Sequence, residues 1–412
     1  MAYRKSIFFI PVRFGDFKNF TRLIKSSGKW ETSDPKTYTP RYLLNYAVRI
    51  AKNETLFQSY ELKKEQFPDI YTFENDIDIS CKPEIYSIRL SCFSTGIGFL
   101  EVRVNFDTMS VTEISEFSYL FKKATKKGKN APEGKMCLYD AALSLMPDNS
   151  SAEIFFTAAA DFKRECVVFH FLQVEQNEEN CMNADHYLDL LKRSYNSKFS
   201  SAACSDYDMI YKAYQNDHWG GSSEGIVNIS YDPSPEKDDY YLHTLKEEHL
   251  EIDYCFMYLL LLNQRFSTIN YICEIAECTD DDKKAMEIIN KKIVKLKTVF
   301  SFRIISDDLI FQNVYSKMYQ VLDIDSLLED IRDNENQSEL LINMNSEKIE
   351  KRSSQFLMGI SLLSLFSALI DASSFFDRIS FLQPIATYMG TFSTALVVTF
   401  CILWLYRNRK HN

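Results

Sequence analysis

The glycine-rich run WGGSSEG, which begins at Trp219, has the residue types that suit a small phosphorylated ligand. Gly220 and Gly221 would let backbone N–H groups converge on a phosphate, and the Ser222 hydroxyl adds a donor. Trp219 offers a stacking face for an adenine, and the Glu224 carboxylate can accept a hydrogen bond from a ribose hydroxyl or a cationic amine. The alternative is an ordinary glycine-rich turn between a helix and a strand, because the run is neither a Walker motif nor GxGxxG.

Two adjacent cations, Lys163 and Arg164, stand just before a predicted strand at residues 166–174. In a chain with a net charge of −10, such a pair is a candidate partner for a phosphate. The alternative is that both side chains are simply solvated. The acidic balance argues against a nucleic-acid polymer as partner, because proteins that bind one carry a basic surface.

The sequence gives little support for catalysis or metal binding. None of its ten cysteines forms a CxxC pair, and none of its six histidines stands at zinc-ligand spacing from a cysteine pair. Scattered cysteines of this kind are typical of small buried side chains in a reducing compartment. We therefore expect a protein that is not an enzyme, with no catalytic residue, no metal site and no cofactor.

Two long uncharged segments near the C-terminus, residues 353–370 and 379–406, predict transmembrane helices at residues 353–376 and 385–406, followed by a cytoplasmic tail at 407–412. Lysine and arginine flank the pair of segments on both outer sides, whereas the connecting loop holds two aspartates and a single cation. The positive-inside rule then places both termini in the cytoplasm and the protein in the bacterial inner membrane.

Polar residues recur along the first of these segments at helical spacing. They are Ser361, Ser364, Ser367, Asp371 and Ser374. At 100° per residue they occupy one arc of a helix, which indicates a pore-lining stripe with the aspartate near its outer mouth. Close helix–helix packing through small residues is the alternative.

The N-terminal part reads as an α+β sensing domain with a mixed or antiparallel sheet, over residues 1–235. Strands are predicted at residues 6–12, 152–157, 166–174 and 225–231, with a half-buried hairpin at 86–93 and 97–106. Helices are predicted at 112–125 and 186–195.

An acidic, proline-containing break at residues 231–239 indicates a domain boundary. Beyond it the pattern is helical at 245–277, 282–302 and 307–321, with a last helix that begins at Ser326 and enters the first membrane segment. We expect these helices to form a stalk domain over residues 240–352. Because the apolar seam of the last helix is sparse, the stalk should need neighbours, and we expect a homo-oligomer.

This arrangement, over roughly residues 245–410, resembles the CorA family of pentameric magnesium channels. The Gly-Met-Asn signature of that family is absent, and the corresponding place reads DASSFFD at residues 371–377. Within the wider family, the runs at residues 94–106, 218–226 and 258–267 resemble divergent CorA-like proteins encoded beside type III CRISPR systems.

The resemblance implies a pentameric membrane effector of antiviral defence. Its cytoplasmic domain would bind a nucleotide second messenger, S-adenosylmethionine joined to AMP, and binding would open or disrupt the lipid bilayer. The lost signature leaves magnesium selectivity in doubt. Two alternatives therefore stay open, a constitutive channel for divalent cations such as magnesium and a non-conducting scaffold anchored in the membrane.

Overall fold

The structure is a computed structural model, and it describes most of the chain up to residue 333 together with scattered positions beyond. The described residues are 3–73, 80–123, 131–147, 152–155, 166–177, 183–194, 209–233, 239–278 and 283–333, with fifteen further positions, single or in short groups, between 353 and 399.

Ten strands within these residues form one sheet. They are β1 Arg4–Arg13, β2 Trp30–Thr32, β3 Phe57–Leu62, β4 Glu84–Phe93, β5 Ile97–Asn105, β6 Glu153–Ile154, β7 Val167–Glu175, β8 Met209–Tyr214, β9 Asp217–Ser222 and β10 Gly225–Asp232. The order is β2-β3-β4-β5-β1-β7-β10-β9-β8, with β6 beside β1. Strands β7 and β10 pair in parallel and the other pairs are antiparallel, so the predicted mixed sheet is confirmed.

Residues 324–333 are helical, and nine α-helices precede them among the described residues. They are α1 Phe17–Ser26, α2 Asn45–Lys52, α3 Val111–Lys123, α4 Leu138–Leu145, α5 Ala184–Arg193, α6 Lys246–His249, α7 Cys255–Glu277, α8 Lys283–Lys295 and α9 Leu309–Val321. Short 3₁₀ turns lie at Pro35–Thr37 and Lys64–Gln66, and π-helical turns at Tyr241–Leu245, Leu250–Tyr254 and Leu296–Phe300.

Helices cover both faces of the sheet. Successive strand residues point to opposite faces, and the two aromatic neighbours in β1 show the result. Phe8 packs edge-on against Phe121 of α3, with ring centroids 4.8 Å apart. Phe9 packs against Tyr258 of α7 at 5.6 Å. The core therefore has two layers, which explains why the middle of β1 is apolar without interruption.

The β4–β5 hairpin is confirmed, but it is buried on both faces rather than half-buried. The polar positions of its alternating pattern lie under the helical layer, where Glu101 and Arg103 are almost fully buried. Their side chains pair at 2.7 Å, and Glu101 also accepts a hydrogen bond of 2.5 Å from Ser91. The ion pair makes it possible to bury these two charged side chains, which the alternating sequence pattern alone would place on the solvent-exposed face.

Residues 241–277 form one helical stretch that begins with a π-turn, contains a second, and continues as α7. Helix α7 lies on the sheet, with Phe266 against Phe99 of β5 at 5.8 Å. By their contacts, residues 1–334 form one unit and residues 335–412 a second. The predicted division between a sensing domain at 1–235 and a stalk at 240–352 therefore falls inside the first unit.

No helix among the described residues is long and apolar enough to cross a membrane. This finding contradicts the two predicted transmembrane helices, residues 353–376 and 385–406, together with the inner-membrane location. Most of these segments, and the tail at 407–412, lie outside the described residues. The prediction relied on the absence of charge over a long run, and an uncharged run that carries a regular polar stripe does not by itself establish a span.

The predicted pore-lining residues belong to the second unit. Those described at helical, exposed positions are Ser361, Ser364, Ser367 and Asp371, and Ser374 lies outside the described residues. The hydroxyls of Ser361 and Ser364 donate to the carbonyl oxygen four residues earlier, at 2.9 and 3.0 Å. These hydroxyls are satisfied within their own helix. The pore role depended on a membrane span, which the described residues do not contain.

Candidate functional site

An aromatic cavity of about 260 Å³ opens beside strand β9, within the first unit. Four stretches of the chain line it: the loop before α2, the β8–β9 hairpin, the π-turns with α6 between them, and the N-cap and first turn of α9. The lining residues are Tyr42, Tyr214, Asp217, Trp219, Tyr241, Lys246, His249, Tyr254, Asp308, Ile310 and Phe311. The volume is near the lower end of small-ligand pockets, about 300 Å³.

Hydrogen bonds accepted by one carboxylate and donated by one hydroxyl draw three of these stretches together. Asp253, in the second π-turn, accepts the backbone N–H groups of Arg41 and Tyr42 at 2.6 and 3.1 Å. The Ser306 hydroxyl, just before α9, donates to the Tyr42 carbonyl at 2.7 Å. Desolvation raises the pKa of Asp253, and the two N–H bonds act against that rise. Because these bonds fix the backbone, the Tyr42 side chain is held at the mouth of the cavity.

The two π-turns decide which side chains of the helical stretch face the cavity. A π-turn closes hydrogen bonds between residues i and i+5, and such turns are frequent at functional sites. Tyr241 lies in the first π-turn and Tyr254 in the second, with Lys246 and His249 in the short α-helical turn between them. All four line the same cavity.

The aromatic rings form a continuous series from the cavity floor to its mouth. Trp219 lies 4.7 Å from Tyr254 between centroids, and Tyr254 stacks on Phe311 at 4.3 Å with an interplanar angle of 9°. Phe311 in turn stacks on Tyr42 at 5.6 Å, and Tyr42 lies 4.5 Å from His249. The Tyr254–Phe311 and Phe311–Tyr42 contacts are nearly parallel, and the other two contacts are tilted. Together the rings give the cavity apolar walls.

Charged groups stand at the wall of the cavity. Asp217 is buried, and its carboxylate pairs with Lys246 at 2.6 Å. The same carboxylate oxygen accepts a hydrogen bond of 2.6 Å from the Asn228 amide. Asp308 caps α9, accepting the N–H groups of Ile310 and Phe311 at 2.8 and 3.1 Å. Desolvation lowers the pKa of Lys246 although Asp217 acts to raise it. The charges of Lys246 and Asp217 therefore cancel each other, and Asp308 at the start of α9 supplies a further negative charge.

Burial and these carboxylates also shift the pKa values of neighbouring groups. Desolvation lowers the pKa of His249 from 6.5, against the opposing effects of Asp253 and Glu248. The imidazole is therefore neutral at pH 7. Desolvation first, and then Asp217, raise the pKa of Tyr241 to about 12. The Tyr241 hydroxyl therefore stays protonated and can donate a hydrogen bond.

Among the predicted ligand residues, Trp219 lines the cavity and the glycines after it do not. Gly220 and Gly221 lie in β9, which pairs with β8 on one side and β10 on the other. A Cβ atom on Gly220 would come within 2.9 Å of Val227 and 3.2 Å of Leu188. The absence of a side chain at Gly220 therefore permits close packing of α5 on the sheet, and these residues form no phosphate-binding loop.

The remaining predicted ligand residues lie elsewhere. The Ser222 hydroxyl donates to the Lys192 carbonyl at 2.7 Å, and Glu224 pairs with Lys122 at 2.9 Å. Lys163 and Arg164 lie outside the described residues. The run GSSEG that starts at residue 221 has the letters of a GxSxG nucleophile motif. It forms the tight turn of the β9–β10 hairpin rather than the strand-to-helix turn that exposes such a serine.

The sequence reasoning missed most of the residues that line the cavity. They come from positions that are far apart in the chain, between Tyr42 and Phe311, and no local spacing connects them. The available signal was compositional, since the chain contains 31 phenylalanines and 24 tyrosines. Within the described part of the chain, no three or more His, Cys, Asp or Glu side chains are grouped so that they could hold a metal ion.

No protein-family model matches the chain, and no curated protein sequence matches it.

Proposed function

We propose that the protein is a binding module for a nucleotide-type small molecule, and that the aromatic cavity is its binding site. The observation that carries this proposal is the series of stacked rings around a cavity of about 260 Å³. A flat base can stack on such rings, and the carboxylates, Lys246 and the Tyr241 hydroxyl at the wall can fix its orientation.

A buried donor in the cavity wall supports the proposal. The Trp219 side chain is fully buried, and its indole N–H has no hydrogen-bond partner among the described residues. An unpaired buried donor costs about 1–3 kcal/mol. A ligand that offers an acceptor to this group, such as a ring nitrogen of adenine, would recover that cost on binding.

The resemblance to CorA-like proteins encoded beside type III CRISPR systems supplies the candidate ligand, S-adenosylmethionine joined to AMP. A cavity of about 260 Å³ accommodates one part of such a conjugate, with the rest at the rim. Recognition of that messenger would make the protein a sensor in antiviral defence.

Equilibrium binding to the purified full chain tests the proposal. Isothermal titration calorimetry would compare the conjugate with S-adenosylmethionine, AMP and ATP, and we expect the conjugate to bind best. Tyr241→Ala removes a half-exposed ring of the cavity. Since stacking of a base on an aromatic ring contributes about 1–3 kcal/mol, we expect the Kd of this variant to rise about 5- to 150-fold.

Glu224→Gln is the matched control, because Glu224 pairs with Lys122 and does not line the cavity. We expect this variant to bind as the unmodified protein does. Lost binding in Glu224→Gln together with unchanged binding in Tyr241→Ala would move the site to the glycine-rich run. If none of the four nucleotides binds, the proposed function is wrong.

A further inference from the structure

The aromatic cavity has a surplus of negative charge. Lys246 neutralises Asp217 through their 2.6 Å contact, and His249 is neutral at pH 7. Asp308 then leaves about one negative charge, which the partial positive charge of roughly one half at the start of α9 offsets only in part. A phosphate would meet repulsion inside this cavity, so the phosphates of a nucleotide ligand would lie at the rim. A cation would be attracted into the cavity.

Three tyrosines stand at the mouth of this negatively charged cavity. Tyr42, Tyr214 and Tyr241 are each about half-exposed, at 47%, 53% and 46%. They are contributed by three separate segments, and all line the same cavity. The face of an aromatic ring carries negative charge density, so tyrosine rings that line one cavity can attract a cation without donating or accepting a hydrogen bond.

We propose that the aromatic cavity contains a subsite for a methylated onium group, that is, a quaternary ammonium or sulfonium centre. This inference rests on the proposed function in that it concerns the same cavity, and it names the charged part of the ligand. A methylated onium group has no N–H to donate, so ring faces rather than a single carboxylate recognise it. A primary ammonium pairs with a carboxylate instead, as Lys246 does with Asp217.

The subsite selects for charge, so two probes of the same shape test it. Choline carries a quaternary ammonium group, and 3,3-dimethyl-1-butanol replaces the charged nitrogen by carbon. Titrated into the full chain at one ionic strength, choline should bind about 10-fold or more tightly than the alcohol, because only choline gains the attraction of rings and carboxylate. Phosphate should not compete with choline.

Variants of one tyrosine identify the rings. Tyr214→Leu should weaken choline binding about 2- to 30-fold, the range for loss of one cation–π contact. Tyr214→Phe keeps the ring and should bind choline as the unmodified protein does. Tyr240→Leu is the matched control, since Tyr240 is 65% exposed and does not line the cavity. Thermal melting confirms that each variant is folded.

The result that overturns the subsite is equal affinity for choline and the alcohol, no choline binding, or unchanged choline binding in Tyr214→Leu. These outcomes are distinct from failure of the proposed function. Selective choline binding without nucleotide binding would retain the onium subsite and reject the nucleotide ligand. Nucleotide binding without a preference for choline over the alcohol would retain the nucleotide ligand and reject the onium subsite.

Discussion

At the scale of single residues, His170 shows how burial sets the chemistry of a side chain. Its imidazole is fully buried in β7, with Nδ1 2.5 Å from the Ser6 hydroxyl and Nε2 3.0 Å from the Ser194 hydroxyl. Two neutral hydroxyls can complete the bonds of a neutral ring but do not compensate a charge. Desolvation therefore lowers the pKa of His170 from 6.5 to about 3.

This shift predicts a loss of stability in acid. Between pH 6.5 and about pH 3 the unfolded chain binds a proton at His170 and the native protein does not, so the free energy of unfolding falls as the pH falls. At pH 5 the loss is about 2 kcal/mol relative to pH 7. His170→Gln should be less stable at pH 7 but should lack this part of the acid dependence.

Urea unfolding at pH 7 and pH 5 measures the difference. The two proteins differ only at residue 170, so the comparison isolates His170. An equal fall in stability for the unmodified protein and His170→Gln would show that the native imidazole is not held neutral.

At the scale of elements, strand β9 depends on one of its two glycines. A Cβ at Gly220 would meet Val227, a stiff β-branched side chain, at 2.9 Å, whereas the nearest atom to a Cβ at Gly221 is 3.4 Å away on Met209. We expect Gly220→Ala to lower the free energy of unfolding by about 1–3 kcal/mol, as overpacking does. Gly221→Ala, the neighbouring control, should change it by less than about 1 kcal/mol, and equal losses in the two variants would contradict this account of the packing.

The same strand shows where sequence reasoning succeeds and where it fails. Strands such as β1 and β5 carry β-branched and aromatic runs bounded by turn residues, and the sequence predicts them within a few positions. Strand β9 reads DHWGGS, which local chemistry assigns to a loop. It becomes a strand because β8 and β10 pair with it on both sides. Such tertiary pairing leaves no local pattern in the sequence.

The aromatic cavity could not be predicted for a related reason. The sequence indicates Trp219 as a stacking residue, but its partners Tyr254 and Phe311 come from helices that the same sequence assigns to a separate stalk. Periodicity gives the apolar face of a helix and not the surface against which that face packs. The location of α7 on the sheet is what joins the two sets of residues into one site.

At the scale of the whole molecule, this packing makes the first 235 residues dependent on the helical layer that comes after them in the chain. Phe9, Phe57 and Phe99 on the sheet are almost fully buried. They pack against Tyr258, Phe256 and Phe266 of α7, with ring centroids 5.4 to 5.8 Å apart. Each fully buried aromatic side chain contributes roughly 1.5–3 kcal/mol, and removal of α7 would expose one contiguous apolar face of the sheet.

Truncation therefore tests the architecture directly. A fragment of residues 1–235 should bind a hydrophobic dye and unfold without a cooperative transition, because one face of its sheet has lost its cover. A fragment of residues 1–334, which keeps the whole first unit, should melt cooperatively and bind little dye. If the shorter fragment melted as sharply as the longer one, the helical layer would be an appendage rather than half of the core. The aromatic cavity, which needs both, would then have to form after the sheet domain has folded alone.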